Sequence, residues 1–490
     1  MAEKKDVSTS TPLSLWDQAS SRFHIRLVLC FELDNSKRDQ VVSHLGNVLR
    51  QLSRSRPDLA GRLHLGERRG WIHLRESPDF QIPLEVMDGE KIFRIDDYKE
   101  LRERSFPAAA FLGADMFTYQ GAVVSSKSEV PVAAVRIIFI DGGMLLATFL
   151  HHGFGDGECL KEFLEAFSAQ SRGETVSVPG NRSLDFAKKK NNKKEQDDEI
   201  CSEKAPSFHQ LLEKCPEYVE SLELEGPNQP TYRPGGLNES DYRKDGKIFV
   251  FTSDKIQKLK DLVMKHAPSD RPPSSYVCLA TLFWAHAAQA RMDFEAEEES
   301  WECDGLAMMT NPVNWRLRAF RDENKSYYGN SATLAQTCVE KDELQLACEK
   351  PEFWARLVRK VEAAIRKIDD DFVRQRVELF EAAPDPRSLC LLIDPRIPQD
   401  LAFNTWRDFG ADTEWDLYGE GPGAKGVGGG IIKADALRRS QDHWNLGGTL
   451  ILPARQSSDE YEVLLTIPRD AMEELCDDEN FMCWVTRVIE

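Results

Sequence analysis

Between residues 150 and 157 the chain reads Leu-His-His-Gly-Phe-Gly-Asp-Gly. An imidazole, with an ordinary pKa near ~6.5, is suited to take and return a proton at neutral pH. The segment follows a long apolar run and precedes an amphipathic one, so it falls at a strand-to-helix turn. Side chains alternate across a strand, so His151 and His152 face opposite sides and cannot act as one presented pair. Gly153, Gly155 and Gly157 relax the backbone into a tight turn that leaves one imidazole standing at a crevice. Asp156, near the helix start, can fix that turn. Three other readings compete: a buried structural histidine pair, a metal site on His152 and Asp156, and a serine nucleophile served by the histidine. No other histidine lies at a recognisable ligand spacing. The G-x-S-x-G elbow of a serine hydrolase is missing.

The surrounding pattern is one of alternating strands and helices. Residues 23–33 (FHIRLVLCFEL) read as a strand, and residues 37–53 as a helix with Val41, Leu45, Val48, Leu49 and Leu52 on one face. Residues 131–140 and 143–152 form an expected hairpin across Asp141-Gly142, followed by a helix over 157–171. Residues 183–204, with KKKNNKKEQDDE at their centre, are charged and nearly free of apolar side chains, which predicts a solvated linker. The strand–helix style resumes with a strand at 247–252, helices at 254–266 and 276–290 (the second capped by Ser274-Ser275), a strand at 306–311, helices within 351–380, a strand at 388–393, a Gly-rich loop at 419–430 and a terminal hairpin of 446–454 with 461–467. The expected organisation is an N-terminal domain over 1–182, a crossover over 183–246 and a C-terminal domain over 247–490.

Composition bounds the function. With 490 residues, 41% hydrophobic and 30% charged, two α/β domains are expected. No apolar run reaches the roughly 18 residues needed to cross a bilayer, and the first residues, MAEKKDVSTSTP, lack an apolar secretory core. Eleven cysteines without C-x-x-C pairs fit free thiols in a reducing compartment. The reading is a cytoplasmic protein, a monomer, with no membrane partner. A net charge of −19 argues against a broad nucleic-acid surface.

At this point five stretches carry a resemblance. His152-Gly153-Phe154-Gly155-Asp156-Gly157 matches the HxxxDG motif of the BAHD acyltransferases, shared with chloramphenicol acetyltransferase and peptide-synthetase condensation domains. Leu13-Ser14-Leu15-Trp16-Asp17-Gln18 resembles their LSxxDQ opening, and Asp58-Leu59-Ala60-Gly61-Arg62-Leu63 their PLAGRL segment. Val313-Asn314-Trp315-Arg316-Leu317-Arg318 with Tyr328-Gly329-Asn330 resembles VNxRxR…YxGN. Residues 448–453 with 461–463 resemble the closing hairpin. The match spans residues 12–481 and is closest in style to the fungal trichothecene 3-O-acetyltransferase-like branch. One departure stands out. Asn404-Thr405-Trp406 matches the start of the family's TSW…DFGWG element, but its second part is reduced to residues 416–421, beginning at Asp416. The literal Asp408-Phe409-Gly410 lies too close to Trp406 to be that element and reads as coincidence.

The resemblance implies two chloramphenicol-acetyltransferase-like α/β domains of mixed sheet and helices, with an active-site tunnel at their interface. It implies an acyl-CoA co-substrate, acetyl-CoA by default, no tightly bound cofactor and no metal. The acceptor would be a small-molecule alcohol, or an amine, of secondary metabolism. His152 would be the general base of a ternary complex, with Thr405 and Trp406 at the oxyanion or pantetheine. Asp156, Gly157, Arg316 and Asp416 would be structural at the site, with Arg316 pairing Asp156. Ser253, Lys255 and Ser275 would contact coenzyme A. A condensation-type enzyme fed by a carrier-protein thioester, or a silent binding protein of the same fold, are the rival expectations.

Overall fold

In the computed structural model, which describes residues 8–89, 97–113, 129–176, 180, 182, 206–221, 243–296, 305–320, 327–423, 426–427, 429–441, 444–446 and 448–490, the strand His24–Glu32 pairs antiparallel along its whole length with Gly143–His151. That strand forms the expected hairpin with Ala133–Ile140. Leu84–Asp88 adds in parallel on one edge and Ala436–Arg438 antiparallel on the other, giving a five-stranded sheet. Every residue of both hairpin strands is buried, because both faces are covered, and so they read as continuous apolar runs rather than alternation. On one face the helices Arg38–Ser55 and Gly157–Ser171 pack over Leu27, Leu29, Leu146 and Leu150. On the other, Val28, Ile138 and Phe149 pack with Tyr98 and Phe111.

The second half builds a seven-stranded mixed sheet in the order Ala332–Glu340, Leu306–Asn314, Leu401–Thr405, Gly448–Ile451, Glu460–Pro468, Lys244–Thr252, Arg487–Ile489. Leu401–Thr405 runs parallel to both of its neighbours. Helices Ser253–His266, Ser275–Ala296 and Pro351–Arg366 cover one face. Ser275–Ala296 buries Val277, Leu279, Phe283 and Trp284 on different sides, as a helix apolar all round must. A four-stranded sheet of Thr9–Pro12, Ile72–Glu76, Arg62–Leu65 and Val130–Pro131 completes the N-terminal half. The α/β reading with two mixed-sheet domains is borne out.

The domain limits need correcting. Ala411, Trp415, Leu417, Tyr418, Ala434 and Leu437 fall within the 247–490 range yet belong to the N-terminal core, and Ala436–Arg438 is a strand of the N-terminal sheet. The physical reason is the open edge of His24–Glu32, whose unpaired backbone groups are satisfied by this excursion. In exchange, Trp16 packs in the C-terminal core against Trp315 at 5.3 Å and Phe380 at 5.0 Å. Much of the 183–246 crossover, including the charged run, lies outside the described residues. Within it, Tyr218–Glu220 pairs with Leu389–Leu391, and Glu217 forms a buried ion pair with Arg376 at 2.6 Å, which ties this part to the C-terminal half.

Candidate active site

The strand Gly143–His151 ends with its last side chain pointing into the sheet. His151 is fully buried, its ring perpendicular to that of His24 with centroids 5.0 Å apart. Its Nδ1 accepts the Gly153 N–H at 3.1 Å, so His151 folds the glycine turn rather than facing a ligand. Burial pushes the His24 imidazole down to about 4, against a hydrogen bond to the Pro131 carbonyl that raises it. His152 leaves the sheet on the other side. Its backbone N–H donates to the Phe23 carbonyl at 2.7 Å, its ring lies 5.7 Å from that of Phe23, and the side chain is only partly buried.

The tautomer of His152 is set by Asn330, whose amide orientation is itself fixed. Asn330 Nδ2 donates to the Asp17 carboxylate at 2.9 Å and to the His152 carbonyl at 2.7 Å. Both partners are acceptors, so the other end of the amide must be the oxygen. Asn330 Oδ1 lies 3.2 Å from His152 Nδ1 and therefore accepts its N–H. In the neutral ring this leaves Nε2 unprotonated, the state a base requires. Asp17 is fully buried. It pairs with Arg182 at 3.0 Å and accepts the Ser14 hydroxyl at 2.8 Å, within the capping box that starts the helix Leu15–Gln18.

Asp156 turns away from His152. Its carboxylate caps the helix Gly157–Ser171 through the Glu158 and Cys159 N–H groups. It is bidentate with Arg316 at 3.0 and 3.2 Å and accepts both the N–H and hydroxyl of Ser331 at 2.9 and 3.0 Å. Burial alone would raise its pKa, but the Arg316 charge and these hydrogen bonds outweigh it and hold the carboxyl below the usual range. Arg316 also donates to the Gly329 carbonyl, so one buried pair locks the turn to the strand end that presents Asn330.

Gly157 is required by close approach: a Cβ there would lie 2.2 Å from the Phe409 ring. Phe409 stacks on Trp406 with centroids 6.3 Å apart. Phe409 thus lies between the start of the motif helix and Trp406. Trp406 is partly buried between the N-terminal core and Leu450 and Leu452 of the C-terminal sheet, and its indole N–H has no hydrogen bond to a described residue. Thr405 ends its strand with an exposed side chain. Asp416 is placed elsewhere. Its N–H bonds Ser171, at the far end of the motif helix, while its carboxylate gathers the N–H groups of Tyr418, Gly419, Glu420 and Gly421. Fifteen residues of helix, about 22 Å, separate it from Asp156, so Asp416 organises a remote loop.

Ser253, Ser275 and Tyr461 cluster at the end of the C-terminal sheet where Leu401–Thr405 also ends. Ser253 Oγ donates to the Asp459 carbonyl at 2.9 Å, and Tyr461 Oη lies 3.4 Å from Ser275 Oγ. Lys255 is less available than expected: its ammonium donates to the Cys483 and Val485 carbonyls at 2.7 and 2.8 Å, which leaves one of three donors free. Asn330, Asp17 and Ser331 are the residues bonded around His152 and Asp156 that sequence reasoning missed as site members. The first two stand inside stretches that carried the resemblance, but nothing local marks a buried Asn or Asp as a partner of a histidine 178 or 135 residues away. Among the described residues no group of three or more His, Cys, Asp or Glu side chains could hold a metal.

A partly buried imidazole thus lies where the two halves of the chain meet, its Nδ1 held by the Asn330 amide oxygen. Residues 99–396 match the model of the Transferase family, and residues 23–170 that of the Trichothecene 3-O-acetyltransferase-like N-terminal domain. The chain belongs to this family, the BAHD acyltransferases. It is 23% identical over 404 residues to Acyltransferase easC of Emericella nidulans, covering 78% of this chain and 80% of that protein. It is 21% identical over 512 residues to Trichothecene 8-O-acetyltransferase of Fusarium sporotrichioides, covering 99% and 100%. Among solved structures, F. graminearum TRI101 complexed with Coenzyme A and T-2 mycotoxin has the same fold, with a TM-score of 0.73 and 16% identity over 98% of this chain and 100% of that one.

Proposed function

We propose that the protein transfers an acyl group from coenzyme A to a hydroxyl, or an amine, of a secondary metabolite, with His152 as the general base of a ternary complex. The observation that carries this reading is the Asp17–Asn330–His152 chain. His152 Nε2 takes the proton as the acceptor oxygen attacks the thioester carbonyl carbon. The imidazolium so formed keeps its Nδ1–H on the Asn330 amide oxygen, and the Asp17 carboxylate behind that amide stabilises the positive charge. The carbonyl oxygen becomes an oxyanion, for which the Trp406 indole N–H and the Thr405 hydroxyl are the donors at the domain boundary. When the intermediate collapses, the C–S bond breaks and Nε2 returns the proton to the thiolate. No acyl-enzyme is needed. The pantetheine would lie along the sheet end that carries Thr405, Ser253 and Ser275. Coenzyme A and T-2 mycotoxin bound together to a protein of this fold support the assignment of the two substrates.

The test is to incubate purified protein with acetyl-CoA and longer acyl-CoAs and a panel of hydroxylated metabolites, and to read the products by mass beside His152→Ala. Products formed by the wild type and lost in the variant are expected. Turnover of a carrier-bound thioester but of no free acyl-CoA would overturn the choice of donor.

A further inference from the structure

Two arginines with no part in acyl transfer meet between the sheets. Arg26 lies on the strand His24–Glu32, on the face of Val28 and Cys30. Arg439 directly follows Ala436–Arg438, which pairs with that same strand through Arg438 and Val28. Its guanidinium reaches the opposite sheet: a Cβ built on Gly448, the first residue of Gly448–Ile451, would lie 3.5 Å from Arg439 Nη1. The charge of Arg439 is felt at Arg26. Burial first, and Arg439 second, push Arg26 down to about 10, and burial lowers Arg439 as well.

Arg439 is partly exposed and makes no hydrogen bond or ion pair with any described residue. Its neighbour Arg438 is the contrast. Arg438 donates to the Phe106, Leu437 and Ser105 carbonyls and pairs with Glu462 at 2.8 Å. A partly exposed guanidinium with five donors, near a second cation and with no acceptor among the described residues, is open to an anion. The position decides which substrate would bring that anion. Gly448 starts the strand whose far end, Ile451, pairs with Thr405, so Arg439 stands roughly 10 Å of strand from the thioester side. Phe23, which anchors the His152 backbone, is three residues before Arg26, again about 10 Å along the sheet.

We propose that Arg439, with Arg26 beside it, binds an anionic oxygen group of the acceptor, so that the acceptor is a hydroxylated carboxylic acid whose reacting hydroxyl lies on the order of 10 Å from its carboxylate. The inference rests on the acyl-transfer reading and adds the acceptor's chemical class. A phosphate of coenzyme A shares the required chemistry and is separated in the test.

The purified full-length protein and its R439Q and R439K variants are assayed with acetyl-CoA and matched pairs of aromatic, aliphatic and terpenoid hydroxy acids and their methyl esters. The wild type should favour at least one acid over its ester by tenfold or more in kcat/KM. R439Q should remove that preference through the acceptor KM, leaving the KM for acetyl-CoA and the melting temperature unchanged or the latter raised, and R439K should lie between. Equal use of acid and ester by the wild type, or the same acid-to-ester ratio in R439Q, overturns the inference and leaves acyl transfer standing. A rise in the KM for acetyl-CoA alone overturns it in favour of a coenzyme A phosphate. If R439Q does not fold, the ratio in R439K decides. If no acceptor turns over, the acyl-transfer reading fails first. The anion site is then read by thermal shift with the same acids and esters, and the absence of any acid-specific shift sinks it too.

Discussion

Asn330 gives both its backbone N–H and its side-chain N–H to one oxygen of Asp17, each at 2.9 Å, across 313 residues of sequence. The amide therefore cannot flip, and its oxygen is held toward His152. Replacing Asn330 with Ala should free the imidazole to adopt either tautomer and lower kcat by about 10²-fold, the low end of what a general base contributes, with little change in either KM. His152→Ala should cost about 10²–10⁴-fold and leave coenzyme A binding largely intact. Steady-state kinetics with both substrates varied checks both. A larger loss of turnover in a well-folded His151→Ala than in His152→Ala would mean that the base is misassigned.

Asp156→Ala should act on stability before chemistry. It strands the buried Arg316 and removes the cap of Gly157–Ser171. Breaking a buried pair costs about 3–5 kcal/mol, so a large drop in melting temperature should accompany lost activity. Because the folded-state carboxyl is held below its ordinary range, its contribution is present above the unfolded-state value and lost as the pH falls through the folded one. Urea unfolding from pH 7 down to 3 should show that acid-side loss in the wild type and its absence in the variant. An Asp156 variant of normal stability and no activity would point to a direct catalytic role.

His24 gives a second pH dependence of opposite chemistry. Burial holds its imidazole at about 4 in the folded state against 6.5 ordinarily. Between these values the unfolded chain binds the extra proton, so stability should fall as the pH is lowered from 6.5 to 4, by up to about 3 kcal/mol. In His24→Phe this segment of the stability profile should flatten. An unchanged slope between pH 6.5 and 4 would show that other groups produce it.

Gly157→Ala would set a methyl group into the Phe409 ring. Overpacking of this kind costs about 1–3 kcal/mol, and here it also pushes Trp406 away from the motif helix. Phe409→Leu should recover part of both stability and turnover in the double variant. Additive losses in that cycle would mean that the two residues do not share the contact.

Lys255→Met should lower the melting temperature slightly, because the Cys483 and Val485 carbonyls lose their donor. The KM for acetyl-CoA should stay within about twofold, the scale of a weak exposed charge contact. A tenfold rise would restore Lys255 as a phosphate contact.

Much of this was legible in the residues themselves. The hairpin around Asp141-Gly142, the glycine turn after His152 and the opposite facing of the two histidines follow from local rules, since turn chemistry and strand alternation act within a few residues. The pairing of Asp156 with Arg316 was reached only through the family resemblance, because it joins segments 160 residues apart. Three things were decided by tertiary structure alone. Asn330 and Asp17 come to bear on His152 only when two strand ends and the first short helix converge, and neither residue differs locally from any surface polar side chain. Phe409 becomes a wedge between Trp406 and Gly157 only because its loop packs onto the other half of the chain. The segment that carries Trp415, Leu437 and Arg439 joins the N-terminal domain because a sheet edge far away in sequence needed a partner. Periodicity reports which face of an element is buried. What lies against that face, and which buried polar group finds which partner, is fixed by long-range packing that no local pattern encodes.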